Sequence, residues 1–323
     1  MNLPVTKIYG SSLLNEVKNY VRTSASSDIG LQLFKLVFLC GEKYSGNSPD
    51  RKLPNRIKVV QFLEKHRKDI KCINVEIFMD KFLKEMDLLT FEEFIAVLCD
   101  AIILFAESWG SICELGAFST RDSLVKKMMV INDRSHMESP SFINLGPIAR
   151  IKEYNQNSVI YTDNEAIFSN PDLHGNLIDC IPERKRCKPN LKPDAISLDA
   201  YMYEVIDIIN LFGPVTSKQI SSLYKWLKGF DGFSFFDRNM HGAPLVDKIK
   251  PRHVLEVLEL LGYIERVEPK LDYYILSSAS KTVAGFLFSF NERRNQSLRA
   301  HIVARKYKYK DWYGDESCYK NVQ

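Results

Sequence analysis

Three carboxylates stand at short intervals in one stretch, Asp100-Ala-Ile-Ile-Leu-Phe-Ala-Glu107-Ser-Trp-Gly-Ser-Ile-Cys-Glu114-Leu-Gly-Ala-Phe-Ser119. Carboxylates that share a site push their pKa values apart, so that one stays ionised while another keeps a proton. Cleavage of an N-glycosidic bond uses that equipment: one carboxylate stabilises or attacks the oxocarbenium-like C1′, and another handles protons. Glu114 is the candidate for the central role. Its neighbours Ile112, Leu115 and Phe118 are of the buried type, and a charge among them needs a reason. A solvated or salt-bridged glutamate is the competing account.

The surrounding pattern says how these groups are positioned. Ala101 to Ala106 is a short apolar run that reads as a buried parallel strand. A polar break with Glu107, Ser108, Gly110 and Ser111 follows, and Cys113-Glu114-Leu115 opens a helix. In a parallel α/β sheet this junction lies at the carboxyl edge, where ligands bind. The glycine admits a ligand to the backbone, and N–H groups at the helix start hold hydroxyls or phosphate. Ser111 is expected to donate its N–H and hydroxyl there. Asp100, Glu107 and Glu114 are expected to converge on one sheet edge.

Upstream and downstream, apolar and helical periodicities alternate. Strands are expected at Leu33 to Cys40, Ile73 to Phe78, Ala101 to Ala106, Met128 to Asn132 and Ser158 to Thr162. Helices are expected at Arg56 to Lys68, Phe91 to Leu98 and Ile112 to Lys127. That rhythm predicts an α/β fold with a doubly wound (flavodoxin/Rossmann-like) parallel sheet. Cys40 and Gly41 end strand one. Asp80, after strand two, either reaches a ribose hydroxyl or caps a helix. Glu92 meets substrate or simply complements a helix dipole. Asp100 begins a strand, making a structural hydrogen bond or a ligand contact. Asn144 lies in a long loop after strand four that lids the crevice, reaches a neighbouring subunit, or only packs.

Composition frames the rest. A chain of 323 residues, 45% hydrophobic, can bury one large core or two medium ones. It has no apolar run of 18 residues and no signal-peptide pattern at its start, so no membrane association is expected. Seven scattered cysteines without a CxxC pair argue for reduced thiols in a cytoplasm. Cys40, Cys99 and Cys113 read as small apolar side chains beside the crevice. Six histidines show no ligand spacing, and neither a metal nor a cofactor is expected. The net charge of +4 is too mild to decide anything.

Five segments emerge: a leader over 1–30, the sheet domain over 31–165, a linker over 166–197, a mostly helical winged-helix domain over 198–285, and a basic, aromatic tail over 286–323. The winged-helix reading rests on helices at Tyr201 to Leu211, Ser217 to Trp226 and Pro251 to Leu261, followed by strands at 263–267 and 273–276. Lys185 and Arg186 in the linker, Arg252, and Arg293, Arg294, Arg305 and Lys306 in the tail are candidate nucleic-acid contacts. Protein docking by the same domain, and a tail that is merely a solvated helix, fit as well.

Five separated motifs carry a resemblance over roughly residues 30 to 165. They are Val37-Phe-Leu-Cys-Gly41; Asp80-Lys-Phe82; Glu92 upstream of Asp100; Glu107-Ser-x-Gly-Ser-x-x-Glu-Leu-Gly-Ala-Phe-Ser119; and Ser141-Phe-Ile-Asn-x-Gly-Pro147. In these the chain resembles the nucleoside 2-deoxyribosyltransferase superfamily, and more closely the effectors of type II retrons. Phe78-Met79 departs from the family's Pro-Glu before the aspartate, so substrate contacts in that corner are expected to differ. The resemblance implies a toxic effector of bacterial antiphage defence that cleaves a nucleotide at its N-glycosidic bond, with NAD a candidate substrate. It implies Glu114, Asp100 and Asp80 as catalytic, and Cys40, Gly41, Glu92, Glu107, Ser108, Gly110, Ser111 and Asn144 as substrate-binding. It implies partners too: a reverse transcriptase, its branched RNA–DNA product, and further copies in a homo-oligomer or higher assembly. The alternative class is a non-catalytic, nucleotide-sensing, DNA-binding winged-helix regulator. A third is a phosphoribohydrolase with Arg121 and Lys126 as its phosphate clamp.

Overall fold

The computed structural model describes residues 4–24, 35–42, 53–82, 84–163, 171–181, 196–229, 235–236, 249–268, 272–278 and 292–307. They divide into two compact units, one spanning 34–185 and one combining 1–33 with most of the chain from 186 onward. Helices α1 (Val5–Tyr9) and α2 (Ser11–Ser24) open the chain and belong to the second unit.

The first unit runs β1 (Lys35–Cys40), α3 (Asn55–His66), β2 (Ile70–Ile73), α4 (Glu76–Phe82), α5 (Leu88–Leu98), β3 (Ala101–Phe105), α6 (Trp109–Ser119), α7 (Asp122–Val125), β4 (Met128–Asp133), α8 (Ala149–Tyr154), β5 (Val159–Thr162) and α9 (Pro171–Asp179). The five strands are all parallel, in the order β2-β1-β3-β4-β5. Strand order therefore reverses between β1 and β3, the switch point at which doubly wound sheets bind ligands. The two-residue period of each strand divides its side chains between two layers. Val37, Leu39, Ala101, Ile103 and Phe105 face a core built with Val59 and Leu63 of α3 and Leu173 and Leu177 of α9. Phe38 and Cys40 face the other way, and Phe38 meets Phe118 of α6 at 6.0 Å between ring centroids.

Several expected boundaries move. The strand expected at 73–78 ends at Ile73, because Asn74 Oδ1 accepts the Glu76 N–H and turns the chain into α4. That helix lays Phe78 and Phe82 against Phe91 of α5. The helix expected over 112–127 is two helices, α6 and α7, with Thr120 as the C-cap of α6 and Arg121 as the N-cap of α7. The loop after strand four becomes a wide helical turn at Asn144–Ile148 that leads into α8. Within the expected linker, α9 puts Leu173, Leu177 and Ile181 into the sheet core, so the first unit runs past 165.

The second unit continues with β6 (Ile196–Ser197), α10 (Leu198–Phe212), β7 (Val215–Thr216), α11 (Ser217–Lys228), β8 (Phe235–Phe236), α12 (Pro251–Leu260), β9 (Ile264–Arg266), β10 (Tyr273–Leu276) and α13 (Glu292–Tyr307). Three of its strands form an antiparallel sheet in the order β7-β10-β9. A capping box between Thr216 and Gln219 starts α11, and Gly229 ends it in the left-handed conformation. The expected leader is structural: Tyr9 of α1 is fully buried and meets Phe212 edge-on at 5.1 Å.

The tail departs most from expectation. Lys306, 1% exposed, points inward and donates to the carbonyls of Phe212, the last residue of α10, and of Pro214 just past it. Arg299 likewise donates to the Asn210 carbonyl at 2.6 Å. A helix end leaves carbonyls unsatisfied, and these long cations cap them. Lys306 is therefore withdrawn as a nucleic-acid contact. Arg305 and Arg294 remain exposed, the latter over the Tyr20 ring at 4.9 Å. Lys185 and Arg186 lie outside the described residues, and Arg293 is placed on α13.

Candidate functional site

Strand and helix periods together bring Cys40 to Glu114. Cys40 stands two residues beyond Phe38 on the same strand face, and Glu114 stands one turn before Phe118 on the same helix face. Two strand residues and one helical turn each advance about 6 Å, so the pair beyond Phe38–Phe118 also meets. The Cys40 thiol is buried and hydrogen-bonded to the Glu114 carboxylate. Burial, followed by the Glu114 charge and that hydrogen bond, lifts the Cys40 pKa well above the usual thiol range. Cys40 is thus a neutral S–H donor to Glu114 and not a thiolate nucleophile.

Glu92 of α5 joins this pair. It is 9% exposed, and burial, with the charges of Glu114 and Glu76, pushes its carboxyl up to about 8. Glu114 is also raised by burial, but the Cys40 hydrogen bond and the Arg56 charge work against the rise. The two carboxyls whose charges act on this thiol thus differ in kind. Glu92 holds a proton near neutrality; Glu114, raised as well, is the one with a thiol donor and a guanidinium acting in favour of its charge.

Two residues that sequence reasoning passed over complete the cluster. Arg56, 5% exposed in the first turn of α3, donates to Glu76 Oε1 at 2.5 Å and to Asn74 Oδ1 at 3.3 Å. Asn74 in turn holds the Glu76 N–H, so one side chain orders both partners. A signal for Glu76 was present: an asparagine two residues before a glutamate at a strand end marks a capping turn. Nothing local marked Arg56, whose burial depends on α3 packing over the sheet edge.

The remaining expected residues have defined places. Glu107 closes the switch point: its Oε1 accepts the Glu42 N–H at 3.1 Å and its Oε2 accepts Asn55 Nδ2 at 2.7 Å. Gly41 lies so close that a Cβ there would stand 3.1 Å from Glu107 Oε1. Ser108 caps α6, its Oγ accepting the Ser111 N–H at 3.2 Å, and Ser111 Oγ accepts the Ser108 N–H at 3.1 Å. The N–H and hydroxyl of Ser111, expected for ligand, are committed to this capping box, with the hydroxyl also donating to the Ser108 carbonyl. Gly110 sits exposed in the first turn. Asn144 spends its amide on the carbonyls of His136 and Ser139 and accepts the Tyr161 hydroxyl.

Asp100 does not converge with the others. It precedes β3, where Leu36 N–H donates to its Oδ2 at 2.8 Å, at the amino edge of the sheet. A five-residue strand separates it from Glu107 by about 16 Å. Asp80 lies inside α4, past its first turn, and so does not cap the start of that helix. The pair proposed as a phosphate clamp is engaged elsewhere: Arg121 binds Glu93 at 2.6 Å, and Lys126 sits over the Tyr154 ring.

The family model described as STM3845 retron effector protein matches residues 52–266, about two thirds of the chain. The chain belongs to this family of retron effectors. Two Escherichia coli relatives agree. The "Retron Ec86 putative ribosyltransferase/DNA-binding protein" is 35% identical over 127 residues, 38% of this effector and 39% of the relative. The protein of the same description from retron Ec73 is 32% identical over 129 residues, 38% of this effector and 40% of that one. The matched part thus spans about two fifths of the length of each curated relative. Among the described residues, no helix of this effector is long and apolar enough to cross a membrane.

Proposed function

We propose that the sheet unit breaks the N-glycosidic bond of a nucleoside or nucleotide, NAD among the candidates, with Glu114 as the carboxylate that meets C1′. One observation carries the reading: at the switch point, a carboxylate steadied by a thiol donor stands beside a carboxyl that keeps its proton. In the proposed reaction Glu114 attacks or stabilises C1′ as the C1′–N bond breaks. Glu92 gives its proton to the departing base nitrogen. Water, or a second acceptor, then takes the sugar and returns a proton to Glu92. The ribosyltransferase description of the two relatives supports this class of chemistry.

Membership of the retron effector family supports the wider setting, a toxic effector restrained by a reverse transcriptase and its branched RNA–DNA until a phage trigger. The helix, strand, helix, helix, two-strand order of the second unit supports a winged helix, and the relatives' DNA-binding description supports nucleic acid as its ligand. The DNA-binding words of that description also fit a second reading, a DNA-binding regulator that senses a nucleotide without cleaving it.

The test is base release. Purified protein, with and without its co-expressed genomic neighbours, is incubated with NAD and a panel of nucleosides and nucleotides, and free base is followed by chromatography. Release by wild type and its loss in Glu114→Gln is the expected outcome. Unchanged turnover in the purified variant overturns the assignment of Glu114. Ligand binding without release by either preparation moves the reading to the regulator.

A further inference from the structure

The carboxylate cluster has acceptors to spare. Among the described residues, Glu76 Oε2 and Glu114 Oε2 are both buried and accept no hydrogen bond, and Arg56 Nε, on a side chain almost wholly buried, donates none. A buried carboxylate oxygen without a donor is costly, and two within reach of each other's charge are more so. Glu76 raises both Glu114 and Glu92, which shows how near the three lie.

The topology explains the spacing. Glu76 opens α4 beyond the end of β2, and Glu114 stands in α6 beyond the end of β3, with β1 between those strands. Two strand spacings put these ends about 10 Å apart. Arg56 already sets a cation against Glu76, which disfavours a second cation and favours neutral O–H donors.

We propose that Glu76 and Glu114 together hold the vicinal 2′- and 3′-hydroxyls of a ribose, Arg56 fixing Glu76 in place, so that ribonucleotides are taken in preference to 2′-deoxyribonucleotides. The proposal rests on the glycosidase reading of the same site. A hydrogen bond from the 2-hydroxyl to the attacking carboxylate also strengthens in an oxocarbenium-like transition state, which ties this contact to turnover. Glu76 is a specificity residue in this scheme and Arg56 a positioning residue.

The experiment compares adenosine 5′-monophosphate with 2′-deoxyadenosine 5′-monophosphate on the full-length protein, reading base release and, independently, binding by calorimetry. Wild type is expected to favour the ribonucleotide about tenfold or more in kcat/KM, the worth of one charged hydrogen bond. Glu76→Gln is expected to bring that ratio to within about threefold of one, chiefly by slowing the ribonucleotide. Asn74→Ala, which only loosens Glu76, is expected to fall between, with an unchanged melting temperature separating loss of specificity from loss of fold. Equal rates on both sugars in wild type, or equal losses on both in Glu76→Gln, overturn the proposal. Absence of base release from either sugar counts against the glycosidase reading, and calorimetry then decides the sugar contact alone. A tenfold preference in Kd that Glu76→Gln abolishes upholds it, and equal or undetectable binding of both sugars refutes it.

Discussion

Glu92 and Glu114 carry the same functional group and are assigned opposite duties because their surroundings differ. Burial raises both, but only Glu114 has a thiol donor and a guanidinium to favour its charge. If Glu92 is the proton donor, activity needs it protonated, and kcat/KM should fall as pH rises through about 8. Glu92→Gln should lose most activity and flatten that basic limb. A limb that persists unchanged in the variant would assign the proton to another group. The same shift affects stability. A carboxyl whose folded pKa lies above its unfolded value of 4.5 binds its proton more tightly in the folded state. The stabilisation is complete below about 4.5, declines as pH rises, and is gone above about 8. Glu92→Gln should therefore flatten the melting temperature against pH across that window.

At the scale of elements, the site depends on where α6 begins. Ser108 and Ser111 satisfy each other's backbone in a reciprocal cap, which sets the first turn and with it the height of Glu114 above the sheet. Ser108→Ala should cost about 1 kcal/mol, read as a lower melting temperature. It should also reduce turnover more than a remote change of equal stability cost. The α4–α5 layer holds the other carboxyls by aromatic packing: Phe91, fully buried, stacks on Phe82 at 4.6 Å and lies 5.9 Å from Phe78. A cavity there would move Glu76 and Glu92 together.

At the scale of the molecule, the family match runs through residues of both units. The basic tail of the second unit divides by burial, and the two kinds of cation should respond differently. Arg305 is exposed on α13 and Lys306 is inside. If the unit docks on nucleic acid as proposed, Arg305→Gln should lower the salt dependence of binding by about one released counterion and leave the melting temperature alone. Lys306→Gln should do the reverse, lowering the melting temperature because the Phe212 and Pro214 carbonyls lose their donor. A shared effect of both variants on the salt slope would mean that Lys306 turns outward in the complex.

Local pattern settled much of this. The strand at 101–105, the helix carrying Glu114 and the capped start of α11 are short-range facts, written in apolar runs, periodicity and capping residues. The five-strand parallel sheet followed from their alternation, and the carboxyl-edge position of Glu107 and Glu114 from that sheet. Partners distant in the chain were another matter. The ends of β1, β2 and β3 bring residues 40, 56, 76, 92 and 114 together, and no spacing in the chain encodes that meeting. The same distance effect misled the reading of Asp100, which stands close to Glu107 in sequence but a full strand length from it in space. Burial of a charge is likewise a property of what packs over it, so Lys306 read as a surface contact and proved to be a helix cap. Sequence alone determined which chemistry was available at this edge. Tertiary structure decided which carboxyl keeps its proton, because desolvation and neighbouring charge exist only once the layers have closed.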